Sequence, residues 1–222
     1  MNIKEQRKLF IKRYNVSCET IKKLDLFYEK ILQYQKEFNL IGRGTLKKVW
    51  IRHFLDSAGA MDIIKKEIRD YLFQNKRVEI LDIGSGAGFP GIVLGILLKD
   101  CANISLSLVE TSKKKCYFLN EVVNCVDSNI EVINCRVENL HKKKFNFITA
   151  RAVSKLDNLF KMSEKLIHKN VTLIFFKGSS WTSELLLIKK KWKFENIIVK
   201  NKNDIENTGG VLMVFKKIKK IL

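Results

Sequence analysis

Proline is nearly absent from this 222-residue chain, where Pro90 is the only one. Alanine is also scarce, with six residues against 34 lysines and 17 asparagines. Lysine and asparagine have AT-rich codons, while alanine and proline have GC-rich ones. Part of this bias therefore reflects nucleotide composition. Paired cysteines are missing too. Cys18, Cys101, Cys116, Cys125 and Cys135 form no C-x-x-C pair, and their number is odd. That excludes a disulfide framework and points to free thiols in a reducing compartment. The three histidines, His53, His141 and His168, lie in unlike segments, so no metal site is expected. No apolar run approaches the roughly 18 residues that a membrane span needs. The start, MNIKEQRKLF, lacks the apolar core of a secretory signal. These absences leave a cytoplasmic enzyme or binding protein as the expectation.

What is abundant is basic charge. Lysine and arginine number 42 and the acidic residues 23, giving a formal net charge of +19. A balance this basic points to a polyanionic partner, most often nucleic acid, even after a discount for codon bias. Apolar residues make up 46% and charged residues 29%, the proportions of a globular chain.

Residues 1–76 read as a helical N-terminal extension. Ile21, Leu24, Tyr28, Ile31, Gln35 and Phe38 recur at spacings of three and four, mostly apolar, so one helix face turns inward. Ser17 is a candidate N-cap, with Glu19 in the first turn, where the helix dipole favours it. Gly42 and Gly44 break the pattern. Trp50, Phe54, Leu55, Ala58 and Met61 then mark a second helical stretch. Phe38, Trp50 and Phe54 fit core spacing better than base stacking.

From residue 77 to 222, strands and helices alternate. Val78–Gly84, Ile104–Glu110, Ile130–Cys135, Phe145–Ala150 and Val171–Lys177 read as strands. A helix is expected from Pro90 to about Leu98, a second around Cys116–Val126 and a third over Leu156–Leu166. Lys193–Lys200 and Val211–Lys217 close the chain as a hairpin. The pattern predicts an α/β fold: a mostly parallel seven-stranded Rossmann-like sheet with a C-terminal antiparallel hairpin.

The segment Asp82-Ile83-Gly84-Ser85-Gly86-Ala87-Gly88-Phe89-Pro90-Gly91 is the most informative. Its alternating glycines sit between a strand and a helix, where a nucleotide-like cofactor can approach the backbone closely. Glu110 ends the next strand, positioned to accept ribose hydroxyls. Two cofactors fit. Gly86-x-Gly88-x-x-Gly91 satisfies the NAD pattern, and Asp82-x-Gly84-x-Gly86-x-Gly88 that of S-adenosylmethionine (SAM) methyltransferases. Asp82 favours SAM, because it can bind an ammonium and would repel a pyrophosphate. A turn with no ligand is the bland alternative.

Several segments then combine. They are GSGAGFPGI (84–92), NLIGRGTLKKVWIRHFLDS (39–57), Glu110–Lys115 with Phe118-Leu119, Arg136-Val137-Glu138, Thr149–Val153 and Phe176-Lys177-Gly178. In order and spacing over about residues 20–217 they resemble the RsmG family, also called glucose-inhibited division protein B. The resemblance implies a class I SAM-dependent methyltransferase acting on N7 of a guanine in 16S rRNA, as free RNA or within the small ribosomal subunit. It implies that Gly84 and Phe89 line the methionine side of the pocket, that Glu110 holds the ribose, and that Val137 and Glu138 lie by the adenine. Arg151 would lie near the transferred methyl or contact the RNA, and is the candidate catalytic residue. The chain departs from the family at Val93, where many members have a second proline, and at Thr208-Gly209-Gly210, where members often have a basic pair.

Guanine N7 has a lone pair and no proton. It can attack a methyl group in line, so the enzyme has only to align the partners and needs no general base. No N/D-P-P-Y/F motif and no Pro-Cys nucleophile argue for a rival methylation. Arg43, Lys47, Lys48, Arg52 and His53 flank the upstream motif as candidate RNA contacts. His53 and Asp56, three apart on a helix, make with Arg52 a cluster that supports either the RNA groove or the pocket wall, or else a helix-packing network. The lysine clusters 113–115, 142–144, 189–191 and 216–220 read more readily as solvated faces. A monomer is expected. Three rivals remain: a SAM methyltransferase of another substrate such as tRNA, an RNA-binding protein with a vestigial SAM fold, and an NAD oxidoreductase, against which Asp82 argues and for which no catalytic His or Tyr-x-x-x-Lys signature speaks.

Overall fold

A computed structural model of the chain describes residues 1–69, 76–101, 103–140, 144–200 and 209–221. Thr208 and most of the 142–144 cluster, together with His141, lie outside them.

Two helices open the chain, α1 (Ile3–Tyr14) and α2 (Cys18–Phe38). Each starts on a side-chain cap and ends on a left-handed asparagine. Ser17 Oγ accepts from Thr20 N at 3.1 Å, and Asn39 takes φ 48°, a conformation that asparagine tolerates at helix ends. Gln35 then closes the break by exchanging two hydrogen bonds with the Ile41 backbone, at 2.7 and 2.9 Å. A short helix α3 (Arg43–Leu46) leads to a π-helical turn, Trp50–Leu55, which runs directly into α4 (Asp56–Glu67).

The remaining elements are β1 (Val78–Ile83), α5 (Gly91–Leu97), β2 (Ile104–Glu110), α6 (Lys113–Val126), β3 (Ile130–Asn134), a 3-10 turn (Val137–Asn139), β4 (Phe147–Arg151), α7 (Leu156–Ser163), β5 (Thr172–Lys177), α8 (Trp181–Lys189), β6 (Trp192–Lys200) and β7 (Val211–Lys220). The sheet order is β3-β2-β1-β4-β5-β7-β6. The first five strands pair in parallel, and β7 runs antiparallel between β5 and β6. This is the doubly wound sheet with a terminal hairpin that the pattern predicts.

Strand alternation divides the core. Val78 and Ile80 of β1, Leu106 and Leu108 of β2, and Ile174 and Phe176 of β5 face α1, α2, α4, α5 and α6. Leu81, Ile83, Val109, Ile148, Leu173 and Phe175 face α7 and α8. Successive side chains on a strand point to opposite faces, so both layers follow from the sequence. The N-terminal helices share one continuous core with α5 and α6.

Element ends differ modestly from expectation. The helix after the glycine turn begins at Gly91, with Pro90 as the residue before it and not the first helical one. β4 begins at Phe147; Asn146 before it bonds Glu79 O and Thr172 N through its backbone, and its side-chain oxygen accepts from Glu79 N at 2.8 Å. α1 and α8 were not singled out from the sequence.

Candidate functional site

The carboxyl ends of β1, β2 and β4 meet at the glycine turn, where ligands of open α/β sheets bind. Gly84, Gly86 and Gly88 have φ of 63°, 56° and 88°, a region that disfavours any Cβ. Gly84 is also sterically fixed. A Cβ there would lie 2.8 Å from Val153 Cγ2.

Two carboxylates hold the turn. Asp82 is fully buried beneath it. Its Oδ1 accepts from Thr149 Oγ1 at 2.7 Å and its Oδ2 from Gly91 N at 3.2 Å. Burial pushes its carboxyl up to about 6, against the hydrogen bonds from Thr149, Ser85 and Gly91 and the charge of Arg151. With both oxygens engaged inside the fold, Asp82 braces the turn. Glu110 is also buried. It accepts from Gly86 N at 3.0 Å, Thr111 N at 2.9 Å and Ser112 N at 2.8 Å. It therefore ties the turn to the end of β2, at the edge of the space beside it.

That space is a cavity of about 250 Å³ lined by residues that include Ile83, Gly84, Val109, Val137, Glu138 and Val153. Of the residues expected at the cofactor, Gly84, Val137 and Glu138 come together here. Thr111, Cys135, Arg136, Val153 and Met162 also line it and were not picked out. Thr111, Arg136 and Val153 fall inside segments that carry the family resemblance, whereas Met162 carried no such mark. The volume falls just below the ~300–1,000 Å³ of whole small-molecule pockets, so it suits part of a cofactor, such as a nucleoside. The apolar walls fit an adenine, and the exposed Glu138 carboxylate adds an acceptor at the rim.

Phe89, Arg151 and His53 form a second cluster on the other side of the turn. Phe89 is 7% exposed. Its ring packs among Phe27 and Phe54 of the N-terminal helices, at centroid distances of 5.0 and 5.3 Å. Phe89, expected on the methionine side of the pocket, is here an aromatic plug that seats the turn on α2 and the π-helical turn, and it does not line this cavity. Arg151 lies 6.0 Å over the Phe89 ring. Its guanidinium donates to the carbonyl oxygens of Arg52 and His53 and to Ser57 Oγ, and it stands 3.6 Å from the Asp56 carboxylate. Burial pulls its pKa down, opposed by Asp56. Arg151 therefore points to the N-terminal helices and does not line the cavity. π-helical turns often mark functional sites, and here the turn supplies the carbonyls that receive an arginine.

His53, a candidate RNA contact, is half-buried. It bonds Thr45 Oγ1 through Nε2 at 3.0 Å, and its ring centroid is 4.9 Å from that of Phe89. Burial, then the charges of Arg151 and Arg52, pull its pKa down to about 3, so the ring is neutral near pH 7. Asp56 joins this cluster through Arg151, which stands 3.6 Å from its carboxylate and also donates to His53 O. Arg43, Lys47 and Lys48 are exposed, and Arg52 is half-buried.

Comparison with known proteins gives a consistent result. A family model described as rRNA small subunit methyltransferase G matches residues 20–209. A ribosomal RNA small subunit methyltransferase G of Jannaschia sp. (strain CCS1) is 33% identical over 202 residues, covering 90% of each chain. The protein of the same name from Rickettsia typhi is 35% identical over 183 residues, covering 82% of this chain and 88% of its own. Among solved structures, a ribosomal protein L11 methylase from Lactobacillus delbrueckii subsp. bulgaricus superposes with a TM-score of 0.52 at 14% identity, covering 72% of this chain and 76% of that one. The last likeness supports the fold. From its sequence over most of its length, the chain belongs to the rRNA small subunit methyltransferase G family.

Proposed function

We propose that this protein is a SAM-dependent methyltransferase acting on N7 of a guanine in small-subunit rRNA. The observation that carries the reading is the cavity beside the glycine turn. Its apolar walls, with the Glu138 carboxylate at the rim beside Arg136, lie at the carboxyl ends of β1 and β2. Bound there, SAM would supply an electrophilic methyl group, and guanine N7 is a nucleophile that needs no deprotonation.

The work left to the protein is alignment and exclusion of water. Val109, Val137 and Val153 would hold the adenine, Glu138 would accept from its exocyclic amine, and Glu110 would receive the ribose hydroxyls at its remaining lone pairs. Gly84 lets the ligand approach the backbone. Asp82 acts through the turn that it braces. Arg151 is a positioning residue on this geometry: it holds Phe89 and the turn against the N-terminal helices.

Residues 1–76 serve as the RNA-facing extension of the methyltransferase domain at 77–222. The exposed Arg43, Lys47 and Lys48 would meet phosphates, which orient a nucleic acid without reading its sequence. The net charge of +19 supports a polyanionic substrate. We take the protein to act as a monomer in the cytoplasm, on rRNA or on the small ribosomal subunit.

Calorimetric titration with S-adenosylhomocysteine tests the cofactor assignment. The wild type should bind, and Gly84→Asp, which drives a carboxylate toward Val153, should not. No binding by the wild type would refute the reading.

A further inference from the structure

The loop after β4 carries Val153, a wall of the cavity that packs against Gly84. This loop is held in a costly conformation. Ala152 has φ 56°, the left-handed region that L-residues avoid. Such strain persists only where the surroundings over-determine it. Arg151 fixes one side, through its bonds to Arg52, His53 and Ser57.

The other side is fixed by a pair with no role in the account above. Lys177, at the end of β5, forms an ion pair of 2.7 Å with Glu184 of α8, and both side chains are only 10% exposed. Lys177 Nζ also donates to Ser154 O at 3.0 Å. Glu184 Oε2 accepts from Leu156 N at 2.7 Å, and Glu184 Oε1 bonds Ser180 Oγ at 2.9 Å. Leu156 is the first residue of α7, and Lys155 before it provides no side-chain cap. Glu184 thus satisfies an amide that the helix leaves unpaired, with a charge of the sign that a helix start prefers. Burial works against ionisation of Glu184, yet hydrogen bonds from Lys177, Leu156 and Ser180 hold its carboxyl below the usual range.

We infer that Lys177 and Glu184 are positioning residues for cofactor binding: together they clamp the backbone at Ser154 and Leu156, and so set where Val153 stands in the pocket. Geometry favours this over a purely structural role. The two bonds land on either side of Lys155, within three residues of Val153, whereas a pair serving only to dock α8 would have no need to reach this loop. The inference rests on the cavity being the SAM site.

The test is a double-mutant cycle read by S-adenosylhomocysteine affinity and by unliganded melting. Lys177→Met alone would leave a buried carboxylate without its counter-ion and endanger folding. The variant is therefore Lys177→Met with Glu184→Gln, two neutral side chains of similar size. It should melt close to wild type yet bind about tenfold more weakly. In a Val153→Ala background the same pair of changes should weaken binding little further, because the wall that it positions is gone. Wild-type affinity in the paired variant would overturn the inference, as would losses that simply add. A measurement on unaltered protein stands beside it. The Leu156 amide should be protected from hydrogen exchange, and exchange at the rate of a free amide would also overturn the clamp. Failure of the wild type to bind would instead refute the cofactor assignment, and the inference with it, whatever the exchange at Leu156.

Discussion

Gly84→Ala should destabilise the protein by an amount that its two causes divide. The first cause is backbone. At φ 63° a Cβ costs roughly 1–2 kcal/mol. The second is packing. The new methyl would meet Val153 Cγ2 at 2.8 Å and Cγ1 at 3.0 Å, and overpacking of this kind costs about 1–3 kcal/mol. Together they predict a loss of about 2–5 kcal/mol, a fall in melting temperature on the order of 10 °C for a chain of this size. Urea denaturation measures the loss directly. Val153→Ala in the same chain should recover the packing share and leave the backbone share. Gly44→Ala is the internal control. It sits in α3 with nothing within 4 Å of its Cβ, so it should gain roughly 0.5–1 kcal/mol. A Gly84→Ala cost below about 0.5 kcal/mol, the level of a neutral surface change, would refute the reasoning. So would a cost that Val153→Ala leaves untouched.

Three other outcomes follow from the same geometry. Phe89→Ala removes the plug between the turn and the N-terminal helices and should cost about 3–5 kcal/mol by urea denaturation; a cost like that of a surface residue would contradict its burial. The His53 imidazole should show no titration between pH 5 and 8 by NMR, because its folded pKa is about 3. Since that value lies below the unfolded one, His53 stabilises the fold above about pH 6.5 and loses that contribution as pH falls toward 3. A midpoint near 6.5 would show that the ring is solvated. Asp82 has the opposite sign. Its folded pKa of about 6 lies above the unfolded value of 3.8, so its ionisation costs stability as pH rises from about 4 to 6, by about 3 kcal/mol at the upper end. The stability of Asp82→Asn relative to wild type should therefore increase over that interval, and a constant difference would refute the burial argument.

The strands and the glycine turn were readable because their causes are local. Period-two alternation in β1 and β5 dictates both core layers, and glycines at 84, 86 and 88 announce a backbone that other residues disfavour. Ser17 announced its helix for the same reason, since a cap acts within three residues. The inner site was less readable because it is made by distant pairs. Arg151 stands at the end of β4 as expected, but its direction is set by carbonyls of a π-helical turn nearly a hundred residues earlier in the chain. Phe89 looks like a pocket residue in its motif, and only the arrival of Phe27 and Phe54 makes it a plug. Met162, an apolar residue of a helix, carries no mark of a cavity wall, and Val153 is marked only by its motif. Lys177 lies in a motif segment but its partner does not, and Glu184 reads as an ordinary charge until β5 and α8 bring the two together by the loop after β4.

The central claim is tested most directly by product analysis. Purified protein would be incubated with methyl-labelled SAM and small-subunit rRNA or small ribosomal subunits, the RNA digested, and its nucleosides separated. The account predicts label in 7-methylguanosine and none when Gly84→Asp replaces the wild type. Label in any other nucleoside, or an unlabelled RNA from a protein that binds S-adenosylhomocysteine, would contradict it.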